Sequence, residues 1–377
     1  MNLVVDENIV FAEEAFSQFG NVRLYNGREI TSSALKDADA LIIRSVTEVN
    51  QPLLQTASVR FVGTATIGTD HVDEDFLKKR GIVFASAQGC NSFAVAEYVA
   101  AAIFHLSSLY NLNLRKCRLG IIGVGNIGSK VRMFAESTGM KVVCSDPPLQ
   151  RLTGTNDFFS LDEILSSEII TLHVPLTFSG ADKTFNLLNE ENLKKTASNA
   201  VIINTSRGGV INEKEILRLN KTKKFILIND VWENEPDVNP VLVKESTIST
   251  PHIAGYSVEG RVNGTKMIYD ALCEWTESEK KWKPELSKPS TPVITLSGNE
   301  RLEEAINKAL KSVYDIQNDS DQFKLLLDMN KADRSKHFDK MRKEYHFRRE
   351  FNNFTVQLDR KNDELINVLK ALRFTVK

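Results

Sequence analysis

A chain of 377 residues is longer than one ordinary hydrophobic core can serve, so two or three domains are expected. Hydrophobic residues make up 42% and charged residues 26%, the balance of a globular protein and not of a disordered or fibrous one. Lys and Arg (48) nearly match Asp and Glu (49), and a net charge of −1 excludes the global field that draws a protein to nucleic acid or to an anionic membrane.

The opening stretch, MNLVVDENIVFAEE, lacks a basic n-region and meets acids within six residues, so it does not read as a signal peptide. From Leu3 to about Ala87, LVV, ADALIIRS, RFVGTAT and GIVFAS read as buried strands, with EEAFSQF and VDEDFLKKR as helices between them. That alternation indicates a parallel sheet with helical crossovers. A longer helix is expected from Ser92 to about Leu109; its apolar window carries Glu97 and His105 and is too short to span a bilayer. Six further strands follow: RLGIIGVG, MKVVCSD, EIITLHVP, NAVIINTS, KFILIND and STISTPH. Six strands with intervening helices complete a doubly wound domain. Val262 to about Ser278 reads as a helix returning to the first lobe, and the proline-rich KPELSKPSTPVITLSG as a boundary before a charged, helix-rich tail. The four cysteines, Cys90, Cys117, Cys144 and Cys273, have neither zinc-ligand nor disulfide-framework spacing, so no metal site is expected and a reducing cytoplasm is the natural compartment.

RLGIIGVGNIGSKV holds Gly123, Gly125 and Gly128 in G-x-G-x-x-G spacing after an apolar strand. A strand before, a helix pattern after and Asp146 at the end of the next strand make a dinucleotide fingerprint of what is otherwise a weak glycine triplet. The glycines let backbone approach a pyrophosphate, and Asn126 and Ile127 supply amides at the helix start. Asp146 is suited to both ribose hydroxyls and repels a 2′-phosphate, and Pro147 and Pro148 follow it where NADP would call for an arginine. The cofactor expected is NAD.

Three segments then end strands of the same domain: NTSRGGV with Arg207, DVWENEP with Asp230 and Glu235, and PHIAGY with His252. Ligands of open α/β sheets bind at the carboxyl ends of the strands, so these side chains can converge. An arginine clamps a carboxylate with two parallel hydrogen bonds. A glutamate paired with a histidine orients the ring and favours its charged form. That histidine then takes a hydroxyl proton as hydride leaves the same carbon. Singly, each residue has a plain alternative: a helix cap, an acidic turn, a loop hydrogen bond. Together, behind a dinucleotide fingerprint, they point to dehydrogenase chemistry.

GIIGVGNIG, LHVPLT, INTSRGGVIN, DVWENEP and TPHIAGYS resemble the D-isomer-specific 2-hydroxyacid dehydrogenases, over roughly residues 1 to 285. The resemblance implies that Arg207 binds the substrate carboxylate, that Glu235 pairs with His252, and that His252 is the acid/base. It implies that Asp230 orients the nicotinamide carboxamide and that Gly255 lets backbone pass close to the cofactor. The implied fold is α/β: a Rossmann NAD domain (93–253) and a discontinuous flavodoxin-like substrate lobe (1–92 and 254–285), both doubly wound, then a C-terminal α+β dimerisation domain (286–377). IIRSVTEVN and FVGTATIGTDHVD, with Ser45 and Thr66, HIAGYSVEGR, with Tyr256, and FDKMRKEYHFRREF are similar to a branch acting on a phosphorylated four-carbon 2-hydroxy acid. That branch implies a cytoplasmic homodimer with Ser45, Thr66 and Tyr256 at the substrate. Arg44 is a candidate for the distal phosphate or a solvated strand-end charge. Arg348 and Arg349 read as surface or interface charge, or as reaching a neighbouring subunit's site. Tyr256 is expected to meet the distal part of the substrate, the alternative being a hinge residue with its hydroxyl on backbone. Two other readings stay open: a dehydrogenase of phosphoglycerate or of glycerate and hydroxypyruvate, and a non-enzymatic NAD-sensing scaffold of co-repressor type.

Overall fold

The computed structural model describes residues 1–346 and 348–377. It divides into two compact units, Met1–Asn91 with Ser257–Ser287, and Ser92–Tyr256 with Lys288–Lys377.

The first unit is built on β1 (Asn2–Asp6), β2 (Asn21–Tyr25), β3 (Ala40–Ile43), β4 (Phe61–Thr64) and β5 (Val83–Ser86), in the order β2-β1-β3-β4-β5. All pairs are parallel, with Val4 opposite Leu41 and Ile42 opposite Gly63. This is the flavodoxin-like order. The inner strands β1, β3 and β4 are almost wholly buried, as continuous apolar runs covered on both faces must be. β2 was not anticipated from the sequence: NVRLY lies at the sheet edge, half exposed, and carries no buried apolar run. The returning helix, Val258–Trp275, is N-capped by Ser257, whose side chain accepts from the Gly260 N–H at 2.9 Å. Its buried stripe of Ile268, Tyr269 and Leu272 packs on Leu3, Val5, Phe16 and Phe61.

The second unit carries β6 (Arg118–Ile122), β7 (Lys141–Ser145), β8 (Ile169–Leu172), β9 (Val201–Asn204), β10 (Ile226–Asn229) and β11 (Ile248–Ser249), in the order β11-β10-β9-β8-β6-β7, all parallel. The Phe159 N–H donates to the Cys144 carbonyl of β7 at 2.8 Å, so the segment at Phe159 extends the sheet edge beyond β7. Counting it as the third strand gives the dinucleotide-binding order. The helix Ser92–Tyr110 is long and apolar enough to cross a membrane, against the expectation that it is too short. Here it is a core helix, with Val95, Val99, Ile103 and Phe104 buried against the sheet and its neighbours.

The C-terminal segment adds a small parallel sheet, β12 (Val293–Leu296), β13 (Thr355–Leu358) and β14 (Thr375–Val376), with four helices. β12 lies inside the stretch that reads as a boundary. The segment shares both cores of the nucleotide-binding sheet. Ile306, Leu310 and Leu369 join Ile121, Ile203 and Ile228 on one face, while Phe323, Leu326 and Phe338 join Ile122, Ile202 and Leu227 on the other. Each such Leu, Ile or Phe contributes about 1.5–3 kcal/mol by leaving water. A polar tie accompanies them: Arg373 Nη1 donates to Glu97 Oε1 at 3.0 Å and to Glu350 Oε2 at 2.8 Å, and Glu97 Oε1 also accepts from the Phe351 N–H at 3.0 Å. Glu97 and Glu350 are buried.

Candidate active site

The turn after β6 has the geometry its glycines require. Gly123 has φ +88°, and a Cβ there would lie 2.5 Å from the His173 carbonyl oxygen. One on Gly128 would lie 2.0 Å from the Gly123 carbonyl oxygen, whereas one on Gly125 would meet nothing within 4 Å. The first and third glycines are thus needed for packing, and the second borders open space. The helix Gly128–Ser137 starts at Ile127 without a side-chain cap, leaving its first amides to another acceptor. Asp146 accepts from the Val124 N–H at 2.8 Å and, as N-cap of the helix Pro147–Thr153, from the Leu149 N–H at 2.9 Å. Each Asp146 oxygen keeps a lone pair beyond these bonds. An open second glycine, an uncapped helix start and a strand-end carboxylate fit a dinucleotide.

At the other strand ends the catalytic candidates come together. His252 Nδ1 and Glu235 Oε2 are 2.8 Å apart, and Glu235 Oε1 accepts from the Trp232 N–H at 3.0 Å. Burial alone would raise the Glu235 carboxyl, but the charge and hydrogen bond of His252, then the charge of Arg342, hold it below the usual range. His252 sits at φ +58°, with its N–H donating to the Asp230 carbonyl at 2.7 Å. Asp230 is buried beneath it. Its Oδ1 accepts from Thr250 Oγ1 and the Ile253 N–H, both at 2.7 Å, and its Oδ2 from the Ala254 N–H at 3.0 Å. Burial raises this carboxyl, against His252 and these donors. Asp230 is therefore first the brace of the His252 turn. Tyr98, from the core helix, hydrogen-bonds Thr250 Oγ1 at 2.7 Å and extends the brace into the core.

Arg207 follows β9 and donates from Nη1 to the Ser206 carbonyl at 2.7 Å. A Cβ on Gly208 would lie 1.8 Å from the Trp232 carbonyl oxygen, so only glycine lets this turn press against the loop that carries Glu235. His173 is half-buried between Thr171 Oγ1, at 3.0 Å, and Thr205 Oγ1, at 3.2 Å; desolvation lowers its pKa to about 3, which keeps it neutral.

Other nominated residues fare differently. Ser45 is exposed after β3 in the first unit; Thr66 there shares a 2.8 Å hydrogen bond with Thr64. Arg44 is partly exposed, and its Nε and Nη2 fork onto the buried Asp6 at 3.0 and 3.4 Å. Arg348 is not surface charge. It is buried and donates to the carbonyls of Ala94 (2.6 Å), Ala254 (2.7 Å) and Tyr256 (3.2 Å), with its guanidinium 4.2 Å from the Tyr314 ring centroid. Arg349 donates to Asn353 Oδ1 at 2.8 Å. Gly255 lies in the loop so held, and the Tyr256 ring packs edge-on against Tyr345 at 5.8 Å, with the Arg342 guanidinium 5.9 Å from its centroid. Tyr98, His173, Arg342 and the anchoring role of Arg348 escaped sequence reasoning; the traces were LHVPLT, which contains His173, and FDKMRKEYHFRREF, which contains Arg342 and Arg348.

Residues 92–254 match the family model "D-isomer specific 2-hydroxyacid dehydrogenase, NAD binding domain", and residues 286–372 match "Domain of unknown function (DUF3410)". The erythronate-4-phosphate dehydrogenase of Tolumonas auensis is 40% identical over 373 residues, 98% of either chain. That of Marinobacter nauticus is 37% identical over 383 residues, the full length of both. Among solved structures, the Aquifex aeolicus D-lactate dehydrogenase with NAD and lactic acid is 25% identical, with a TM-score of 0.57 over 74% of this chain and 96% of that one. The NAD+-bound 3-phosphoglycerate dehydrogenase of Entamoeba histolytica is 26% identical, with a TM-score of 0.62 over 76% of this chain and 99% of that one.

Proposed function

Because the chain belongs to the D-isomer specific 2-hydroxyacid dehydrogenases, in the branch of the erythronate-4-phosphate dehydrogenases, we propose that it oxidises 4-phospho-D-erythronate to 2-oxo-3-hydroxy-4-phosphobutanoate. The step belongs to pyridoxal 5′-phosphate (vitamin B6) biosynthesis. The observation that carries the chemistry is the 2.8 Å hydrogen bond between His252 and Glu235, beside the turn that bears Arg207.

Bound NAD supplies the hydride acceptor. Gly123, Gly125, Asn126, Ile127 and Gly128 form its pyrophosphate cradle, Asp146 takes the ribose hydroxyls, and Asp230 and Gly255 border the nicotinamide. Arg207 binds the C1 carboxylate with its planar fork, which fixes C2 before His252. His252 Nε2 removes the C2 hydroxyl proton as the C2–H bond breaks, so the ring gains the proton the alcohol loses. Glu235 fixes the ring through Nδ1, and its negative charge favours the imidazolium that forms. Ser45, Thr66 and Tyr256 are assigned to the substrate from the family resemblance. His173, neutral and bonded to two threonines, takes no proton in the cycle.

Turnover with NAD on a panel of 4-phospho-D-erythronate, D-erythronate, 3-phosphoglycerate and glycerate tests the reading. The phosphorylated four-carbon acid is expected to lead, and a leading three-carbon acid would replace it with another dehydrogenase of the family. Absence of turnover on the whole panel would favour an NAD-sensing scaffold. The protein is further proposed to be a cytoplasmic homodimer joined through residues 286–377, where Val293 and Leu325 are exposed. Light scattering should then give about 85 kDa, twice the chain mass of 42.4 kDa.

A further inference from the structure

A guanidinium withdrawn from water needs an anion or a full set of acceptors. Three other arginines spend much of their donor capacity inside the fold: Arg44 forks onto Asp6, Arg348 holds three carbonyls although its Nε too lacks an acceptor, and Arg349 donates to Asn353. Arg342 lies on the helix Lys331–Lys343. It is partly buried, its Nε is enclosed without an acceptor, and among the described residues no carboxylate comes within 4.0 Å of it. The Tyr256 phenol is its hydrogen-bonding partner, and the carboxylates whose charges it also feels, Glu235 and Asp230, are already bonded to His252, Trp232, Thr250, Ile253 and Ala254. Its guanidinium carbon lies 5.9 Å from the ring centroid of Tyr256, four residues beyond the acid/base histidine, and 5.6 Å from that of Phe338.

We propose that Arg342, together with the Tyr256 phenol, receives the anionic group at the far end of the substrate and sets the preference for a phosphorylated over a plain 2-hydroxy acid. The assignment rests on the function proposed above. A phosphate dianion supplies the counter-charge the fold withholds, and the flat fork of an arginine matches two phosphate oxygens. Arg207 binds the other end of the same molecule. A substrate with anions at both ends is thereby held in one direction, with C2 toward His252.

The test compares kcat/KM for 4-phospho-D-erythronate and D-erythronate in the wild type, Arg342→Gln and Arg342→Lys. In Arg342→Gln the phosphorylated substrate should lose roughly ten- to a hundredfold, the effect of one charged hydrogen-bonding partner. The plain acid should change by less than about threefold. Arg342→Lys should keep part of the preference, since the charge remains, and it carries the same comparison if the glutamine variant does not fold. Equal losses on both substrates overturn the assignment and make Arg342 a support of Glu235 or of the fold. A wild type without preference for the phosphorylated acid sinks the proposed function as well. A wild-type preference that survives in Arg342→Gln sinks this assignment alone.

Discussion

Arg348 donates to the Ala254 carbonyl at 2.7 Å, so the loop just past His252 is held by a side chain from the C-terminal segment. The same guanidinium reaches Ala94 on the core helix and Tyr256 on the loop. Arg348→Met keeps the aliphatic stem and leaves three carbonyls without their donor. It should destabilise the protein by about 3 kcal/mol, at the upper end for loss of a charged donor. Chemical denaturation measures the loss. Turnover should also fall at temperatures where the variant is fully folded, because the loop just past His252, the proposed acid/base, is no longer pinned. Unchanged stability would remove Arg348 from the frame of the site.

His252→Ala should lower turnover by ~10²–10⁴-fold, the range for loss of a general acid/base. Glu235→Gln keeps a hydrogen-bonding group of the same shape but removes the charge, so its loss should lie toward ~10²-fold. Arg207→Lys should be severe because an ammonium cannot reproduce the planar fork. Steady-state kinetics on the true substrate decide all three. Near-normal turnover in any one removes that residue from its role.

Asp146 braces Val124, caps a helix and is proposed to meet the cofactor, so deletion to alanine would mix three effects. Asp146→Asn keeps an oxygen acceptor and discards only the charge. The wild type should prefer NAD over NADP, and the variant should lose about tenfold of that preference, roughly 1.4 kcal/mol. The ratio of kcat/KM for the two cofactors reads this out. A preference that survives intact would place the discrimination elsewhere.

Glu97 is held well above its ordinary value of 4.5, first by complete burial and then by the charge of Glu350, against the opposing charge of Arg373. The native state therefore keeps a proton that the unfolded chain releases. The stability from this linkage is complete below about pH 4.5 and declines as pH rises toward the folded value. Glu97→Gln accepts the same two hydrogen bonds without titrating. Relative to wild type, its thermal midpoint should rise as pH is raised above about 4.5, a trend that exposed carboxylates titrating near 4 cannot produce. A variant that becomes relatively less stable as pH rises would show that Glu97 is ionised in the fold. Glu350→Gln, which removes the other partner of Arg373, should destabilise.

Local signals carried much of this architecture. Each of the six strands read between Arg118 and His252 is present, because strands buried on both faces are written as unbroken apolar runs. The pairing of Glu235 with His252 was legible because both end neighbouring strands of one sheet. β2 was not, since an edge strand has only one neighbour to bury against. The role of Arg348 was hidden for another reason: an RR pair among acids looks solvated until carbonyls from residues 94, 254 and 256 surround one of the two. Partners so distant in sequence leave no periodicity to read. The bond of Arg44 to Asp6 was equally unreadable, its partner lying 38 residues away across the first sheet.

The bond between Glu97 and Arg373 closes across 276 residues. A ribosome adding about 5–20 residues per second needs roughly 15–55 s to travel from one to the other. For most of that interval the helix Ser92–Tyr110 is already made, apolar on nearly every side, while Phe351 and Leu369, which join its core, have yet to be translated or to emerge. Until they emerge, the nucleotide-binding unit lacks the segment that completes its core. Its nascent chain is a natural client for chaperones that shield hydrophobic segments, and its yield in the cell should depend on them more than its equilibrium stability suggests.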